Sequence, residues 1–208
     1  MKKFINHRCL KGTVLLVCMF AVVIVAQWGL PGLLSAADPN PVKEGAIMDA
    51  VKNSNLGKKF PVVNAKTLAG QETTIPDDAA GKVTLVVVAF ARESQAQLDS
   101  WLNPFYEKFG SREDSMFYEV PMISGGYKFM KMIIDGGMRG GLPEFKHKHV
   151  VTMYGDVDTY LQGLSLDKSN GYAFLLDREG IIRWQDQGFS NAETLGSLFA
   201  ATEDLLKK

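Results

Sequence analysis

Val83-Thr84-Leu85-Val86-Val87-Val88-Ala89-Phe90 is the stretch on which the fold turns. Eight apolar or β-branched residues in a row, with no polar alternation, mark a central strand buried on both faces. The turn Ala91-Arg92-Glu93-Ser94-Gln95-Ala96-Gln97 follows, and a helix is expected over Gln95 to Phe109. Leu98, Trp101, Leu102 and Phe105 recur there at helical spacing. Pro104 should bend or end that helix. A strand over Ser115 to Ile123 completes a βαβ unit.

Outward from this unit the signals are shorter. Phe60-Pro61-Val62-Val63 and Thr67-Leu68-Ala69-Gly70-Gln71 read as two edge strands around a turn, Pro61 being tolerated only at an edge. After β-strand Ser115 to Ile123, Tyr127 to Ile134 reads as a short helix framed by Gly125-Gly126 and Gly136-Gly137, and Met138 to Pro143 as a flexible connection. Val150 to Tyr154 is either a strand or a helix end. Tyr172 to Leu176 and Ile181 to Trp184 form a hairpin around Asp177-Arg178-Glu179-Gly180, where Gly180 closes the turn. Ala192 to Leu206 is an amphipathic helix with Ser190 or Asn191 as cap and Leu195, Leu198, Phe199 and Leu205 facing inward. The expected class is α/β: a central mixed β-sheet flanked by helices, with an N-terminal edge hairpin and a helical insertion, over residues 56–208.

Residues 1–37 are of another kind. Lys2, Lys3, Arg8 and Lys11 precede the apolar run Thr13 to Ala26, and Ser35-Ala36-Ala37 supplies small residues before Asp38, the layout of an export signal cut after Ala37. An uncleaved anchor fits too, because Thr13 to Leu34 is about the 20 residues a bilayer requires. Either way the remainder is expected outside the cytoplasm, in the periplasm or on the outer face of a bacterial inner membrane, associated with the membrane through this segment if it is retained. Residues 38–55, with Pro39 and Pro41, read as a linker, with a short helix across Gly45 to Asn53.

Both cysteines, Cys9 and Cys18, fall inside the export segment, so the domain has neither disulfide nor thiol chemistry of its own. Without the four basic residues of the signal, 19 Lys and Arg face 23 Asp and Glu, a net charge of −4 that makes nucleic acid a poor partner. No Gly-x-Ser-x-Gly elbow, His-Glu-x-x-His or phosphate-loop spacing is present. Asp156 and Asp158 read as a solvated turn. Gly136-Gly137-Met138-Arg139-Gly140-Gly141 reads as a mobile lid or partner loop. His147 and His149 would share one face of a strand, but two ligands do not make a metal site. Met130, Met132, Met138 and Met153 would have to add thioethers for Cu(I). No catalytic residue, metal or cofactor is assigned.

The order of elements resembles the thioredoxin-like superfamily, through Gly81 to Val88, Phe174 to Trp184 and the last helix. That resemblance implies a redox Cys-x-x-Cys at Ala91 to Gln97 and a cis-proline near Ser169-Asn170-Gly171; this sequence has neither. A narrower resemblance rests on Gln95-Ala96-Gln97, Ser100-Trp101-Leu102-Asn103-Pro104-Phe105, Tyr154-Gly155-Asp156 and the Phe174 to Gly180 hairpin. These are similar to the mitochondrial ATP synthase assembly factors that chaperone subunit a of the membrane sector. The resemblance implies a non-catalytic chaperone or assembly factor whose partner is a membrane protein subunit or complex. Arg92, Gln95, Gln97, Trp101, Asn103, Pro104 and Phe105 are its candidate partner-binding residues, although Trp101 and Phe105, one helical turn apart, read as core before they read as partner-binding. The alternatives are a periplasmic copper-binding protein using His147 and His149, and a redoxin-family enzyme relying on a partner's cysteine.

Overall fold

A computed structural model of the chain describes residues 54–208. The expected export segment 1–37, the expected helix at 45–53 and nearly all of the expected linker lie outside the described residues.

The central strand forms as its composition requires. β3 (Val83–Ala89) is buried along its whole length and sits in the middle of a five-stranded sheet ordered β5-β4-β3-β6-β7. β4 (Ser115–Ser124) runs parallel to β3, with Val87 opposite Glu119, and β5 (Met153–Gly155) runs parallel to β4 at the edge. On the other side β6 (Tyr172–Leu176) and β7 (Ile182–Gln187) are antiparallel, as hairpin chemistry demands. Gly180 closes their turn at φ +78°, a conformation in which a β-carbon would also lie 2.7 Å from Pro76 Cγ. Asp177 holds the same turn, accepting from Glu179 N at 3.0 Å, Ile181 N at 2.9 Å and Arg183 Nε at 2.6 Å. Its burial pushes the carboxyl up, but these donors outweigh burial and leave it below its ordinary value.

Alternation along β3 splits the core in two. Val83, Leu85 and Val87 face a layer built from α1 (Gln95–Phe109) and α4 (Ala192–Leu206). Val86 and Val88 face the N-terminal hairpin and α3 (Val157–Gly163). Asn191 caps α4 reciprocally: its side chain accepts from Thr194 N at 2.9 Å while its own N–H donates to Thr194 Oγ1 at 2.9 Å.

The N-terminal hairpin lies further along the chain than its composition suggested. β1 (Val63–Lys66) and β2 (Glu72–Ile75) pair as a separate two-stranded sheet. Thr67 to Gln71 is therefore the turn, closed by Thr67 N donating to Gln71 O at 2.8 Å and by Gly70 at φ +87°. A left-handed glycine suits a loop closure and interrupts a strand.

Pro104 neither ends nor visibly breaks α1, which continues to Phe109. A proline inside a helix leaves the carbonyl four residues back without its donor, a loss of roughly 3 kcal/mol with the steric clash included. Here that carbonyl belongs to Ser100, and Ser190 Oγ donates to it at 2.7 Å. Ser190 N donates in turn to Ser100 Oγ at 2.9 Å. One turn earlier Trp101, fully buried, donates Nε1 to Gly188 O at 2.8 Å and meets Trp184 edge-on at 5.5 Å. Three hydrogen bonds thus fasten the β7–α4 connection to α1.

The glycine-rich insertion is helical as well. Gly125–Met130 forms 3-10 turns and α2 spans Lys131–Gly141, running through Gly136, Gly137, Gly140 and Gly141. The expected flexible connection at Met138 to Pro143 is thus mostly helix. Each glycine costs a helix about 1 kcal/mol relative to alanine, so tertiary contacts must hold α2 in place. Tyr154 OH donates to Asp135 Oδ1 at 2.8 Å, Arg139 Nη1 to Leu68 O at 3.2 Å, and Thr152 Oγ1 to Met138 Sδ at 3.8 Å.

Two outcomes follow from this packing. Trp101→Phe should keep the fold and lower its stability by roughly 1–3 kcal/mol, the cost of stranding the Gly188 carbonyl, read from urea denaturation. His149 stacks on Phe117 at 4.1 Å, and burial, helped by Lys148, pushes its imidazole down to about 4. The unfolded chain takes up that proton near pH 6.5 and the folded chain refuses it until about pH 4, so this stabilisation is whole above pH 6.5 and drains away as pH falls to 4. His149→Phe should keep the stacking and flatten the acid limb by about one proton across that window, measured as unfolding free energy against pH.

Candidate functional site

In open α/β sheets, ligands bind in the crevice beyond the carboxyl ends of the parallel strands. A cleft of about 600 Å³ lies there, where β3 and β4 end and α1 begins. Phe90 and Met122 contribute from the strand ends, Arg92 from the 3-10 turn Arg92–Ser94, Gln95 from the start of α1, and Ile133, Ile134 and Met138 from α2. Its lining is mainly apolar, and its size falls within the range of ligand pockets, about 300–1,000 Å³. Glu119, in the middle of β4, supplies the one buried carboxylate: Oε1 accepts from Gln95 Nε2 at 3.0 Å. Burial drives its carboxyl upward, with the Gln95 hydrogen bond opposing.

The apolar character of the cleft continues onto the surface. Phe129, Met132 and Ile133 are 84%, 86% and 72% exposed on the insertion. Three large apolar side chains that close together on one short segment mark an interaction surface. Nothing at the cleft offers a nucleophile beside a base.

The candidate residues read from the sequence divide into three groups. Arg92 and Gln95 are in the cleft. Gln97 points elsewhere: its Oε1 accepts from Gly171 N at 2.6 Å and ties the start of α1 to the loop before β6. A β-carbon on Gly171 would stand 2.5 Å from Leu98 Cδ1, so the two segments are in close contact. Trp101 and Phe105 are wholly buried and belong to the core, with no surface for a partner. Asn103 is exposed and accepts from Lys146 Nζ at 2.9 Å, while Pro104 is half-buried beside it; neither lines the cleft.

The histidine pair does not assemble. His147 follows a 3-10 turn at Glu144–Lys146 in place of a strand, and its Nε2 lies 3.0 Å from Leu142 O. His149 Nδ1 lies 3.1 Å from Phe117 O. Each ring is engaged by a different carbonyl, and among the described residues no three His, Cys, Asp or Glu side chains group as a metal site. Asp156 caps α3 through Thr159 and Asp158 pairs with Lys168 at 3.0 Å, which separates their roles.

Sequence reasoning overlooked Glu119, and it read the α2 wall as a short helix ending at Ile134 followed by a glycine-rich lid or partner loop containing Met138. Glu119 was visible as a lone carboxylate inside Met116 to Ile123, an otherwise apolar or aromatic strand. The glycines after Ile134 weaken the helical pattern, so the single helix Lys131–Gly141 was read as a helix end and a loop.

Among solved structures the chain resembles thioredoxin-like proteins at low identity. A putative thiol:disulfide interchange protein DsbE from Chlorobium tepidum superposes with a TM-score of 0.51 at 16% identity, covering 73% of this chain and 97% of that one. An uncharacterized conserved protein from Geobacillus kaustophilus gives 0.52 at 14%, over 73% of this chain and 82% of that one. The thioredoxin domain of a thiol-disulfide oxidoreductase from Bacteroides vulgatus gives 0.50 at 18%, over 70% and 96%. These likenesses establish a thioredoxin-like fold. No curated protein matches the sequence significantly. The family model described as ATP10 protein matches residues 52–205, nearly the whole of the folded domain, and the chain therefore belongs to the ATP10 protein family.

Proposed function

We propose that this protein is a non-catalytic assembly factor for the membrane sector of ATP synthase, exported across a bacterial inner membrane, and that it holds a segment of a membrane subunit in the cleft between α1 and α2. The observation that carries this reading is the exposed apolar crest of Phe129, Met132 and Ile133 continuous with the cleft. A transmembrane segment waiting for its partners is an apolar surface that needs temporary cover, and a cleft with an apolar rim provides it. Membership of the ATP10 protein family supports the identity of the complex. The cysteine-free domain supports a holding role in place of thiol exchange, because residues 38–208 contain no sulfur nucleophile. The basic, then apolar, N-terminal segment supports export. Among the described residues no helix is long and apolar enough to cross a membrane. In this reading, contact with the bilayer runs through the N-terminal segment or through the client.

Affinity capture of the full chain from native membranes tests the proposal. The native protein should recover an ATP synthase membrane-sector subunit. Phe129→Ser combined with Ile133→Ser should leave folding intact, since both side chains are solvent-facing, and should reduce recovery at least about tenfold; burying each side chain is worth roughly 1.5–3 kcal/mol, and 1.4 kcal/mol is a decade. Failure to recover any such subunit, or equal recovery by the double variant, would count against it.

A further inference from the structure

Glu119 is incomplete in the folded chain. It is 2% exposed, and although Oε1 accepts from Gln95, Oε2 is buried with no hydrogen-bond partner. Buried carboxylate oxygens are ordinarily paired, because removing one from water without a compensating hydrogen bond is unfavourable. In its ionised form the group leaves a bare acceptor at Oε2. Burial raises its pKa, and Asp99 on α1 adds repulsion. The two cations nearby do not complete it. Lys146 attracts from a distance, with its Nζ given to Asn103, and Arg92 lines the same cleft without bonding Oε2.

We propose that the cleft recognises an apolar helical segment carrying one basic side chain, and that the cation seats against Glu119 Oε2. This rests on the assembly-factor reading above and names the chemistry that the client must present. The walls fit the hydrocarbon part: Phe90, Met122, Ile133, Ile134 and Met138 line the same cleft as Glu119. A segment of a membrane protein satisfies its own backbone as a helix, so only side chains need to enter. The discrimination comes from dryness. In an apolar surround a matched cation completes a buried charge, whereas a neutral side chain of equal size leaves it stranded, and sites built on such polar pairing reject analogues strongly.

The probe is a fluorescent helical peptide with an apolar face bearing one central lysine, compared with twins carrying norleucine or glutamine there, titrated into the full chain in detergent. The lysine peptide should bind the native protein at least about tenfold more tightly than either twin, and Glu119→Gln should abolish that preference while leaving the norleucine peptide within about twofold of its native affinity. Arg92→Ala should retain the preference. Equal binding of all three peptides by the native protein, equal binding of the lysine and glutamine peptides, or a preference that survives Glu119→Gln would overturn the proposal while leaving a segment-binding cleft. Binding of none of them, or a dimer of the chain that excludes them and dissolves in Ile133→Asp, would overturn both it and the placement of the client in the cleft.

Discussion

Trp101 stands where α1, β7 and the connection into α4 meet, and much of the molecule is arranged by what its indole does. Its ring fills the layer above the central strand and packs against Trp184, while its N–H is committed to the Gly188 carbonyl. The hydrogen bond is part-buried and ends on a wholly buried indole, so it ties the connection into the last helix to α1 at that point. Ser100 and Ser190 repeat the constraint one residue earlier, exchanging two further bonds. Rotation of α1 about its own axis would break all three contacts together. The start of α1, with Gln95 and the 3-10 turn that carries Arg92 just before it, is therefore held at the end of the central strand by interactions less than two turns further along the helix.

Pro104 shows how tertiary context can reverse a local rule. Read alone, it forecasts a bend or an end. In the folded chain the carbonyl it frees becomes the acceptor for Ser190, and the helix goes on for five more residues to Phe109. A partner nearly ninety positions away could not be inferred from helical periodicity, since nothing in the local pattern distinguishes Ser190 from other serines. The same limit applies at the N-terminal hairpin. Its apolar residues were recognised, yet the pairing register depends on Gly70 adopting a left-handed turn, and the strands moved accordingly.

Where burial alone determined structure, the sequence was sufficient. The unbroken apolar run of β3, the spacing of Leu98, Trp101, Leu102 and Phe105, the β6–β7 turn and the capped last helix all lie where their patterns placed them. The insertion was harder because its glycines argue against a helix, while the contacts that rescue it come from Tyr154, Leu68 and Thr152 on other segments. For the site, the position at the head of α1 was legible from fold resemblance, which placed Arg92 and Gln95. The same resemblance drew attention to Trp101 and Phe105, whose size reflects the demands of the core. Glu119 went unnoticed because a single charge in a strand is easily taken for a solvent-facing position, and only the sheet register reveals that its neighbours cover it.

The insertion joins β4 to the three-residue edge strand β5, outside the sequence of elements that builds the two cores. Residues on its outer face carry almost no obligation to the interior. They can diverge without moving a strand register or opening a cavity, whereas Glu119 and Gln95 are fixed by the scaffold. Under the proposed assembly-factor role, such a division would let recognition evolve in two separable steps, with the apolar rim free to follow changes in a client's surface and the polar contact beneath it retained as a common test of identity.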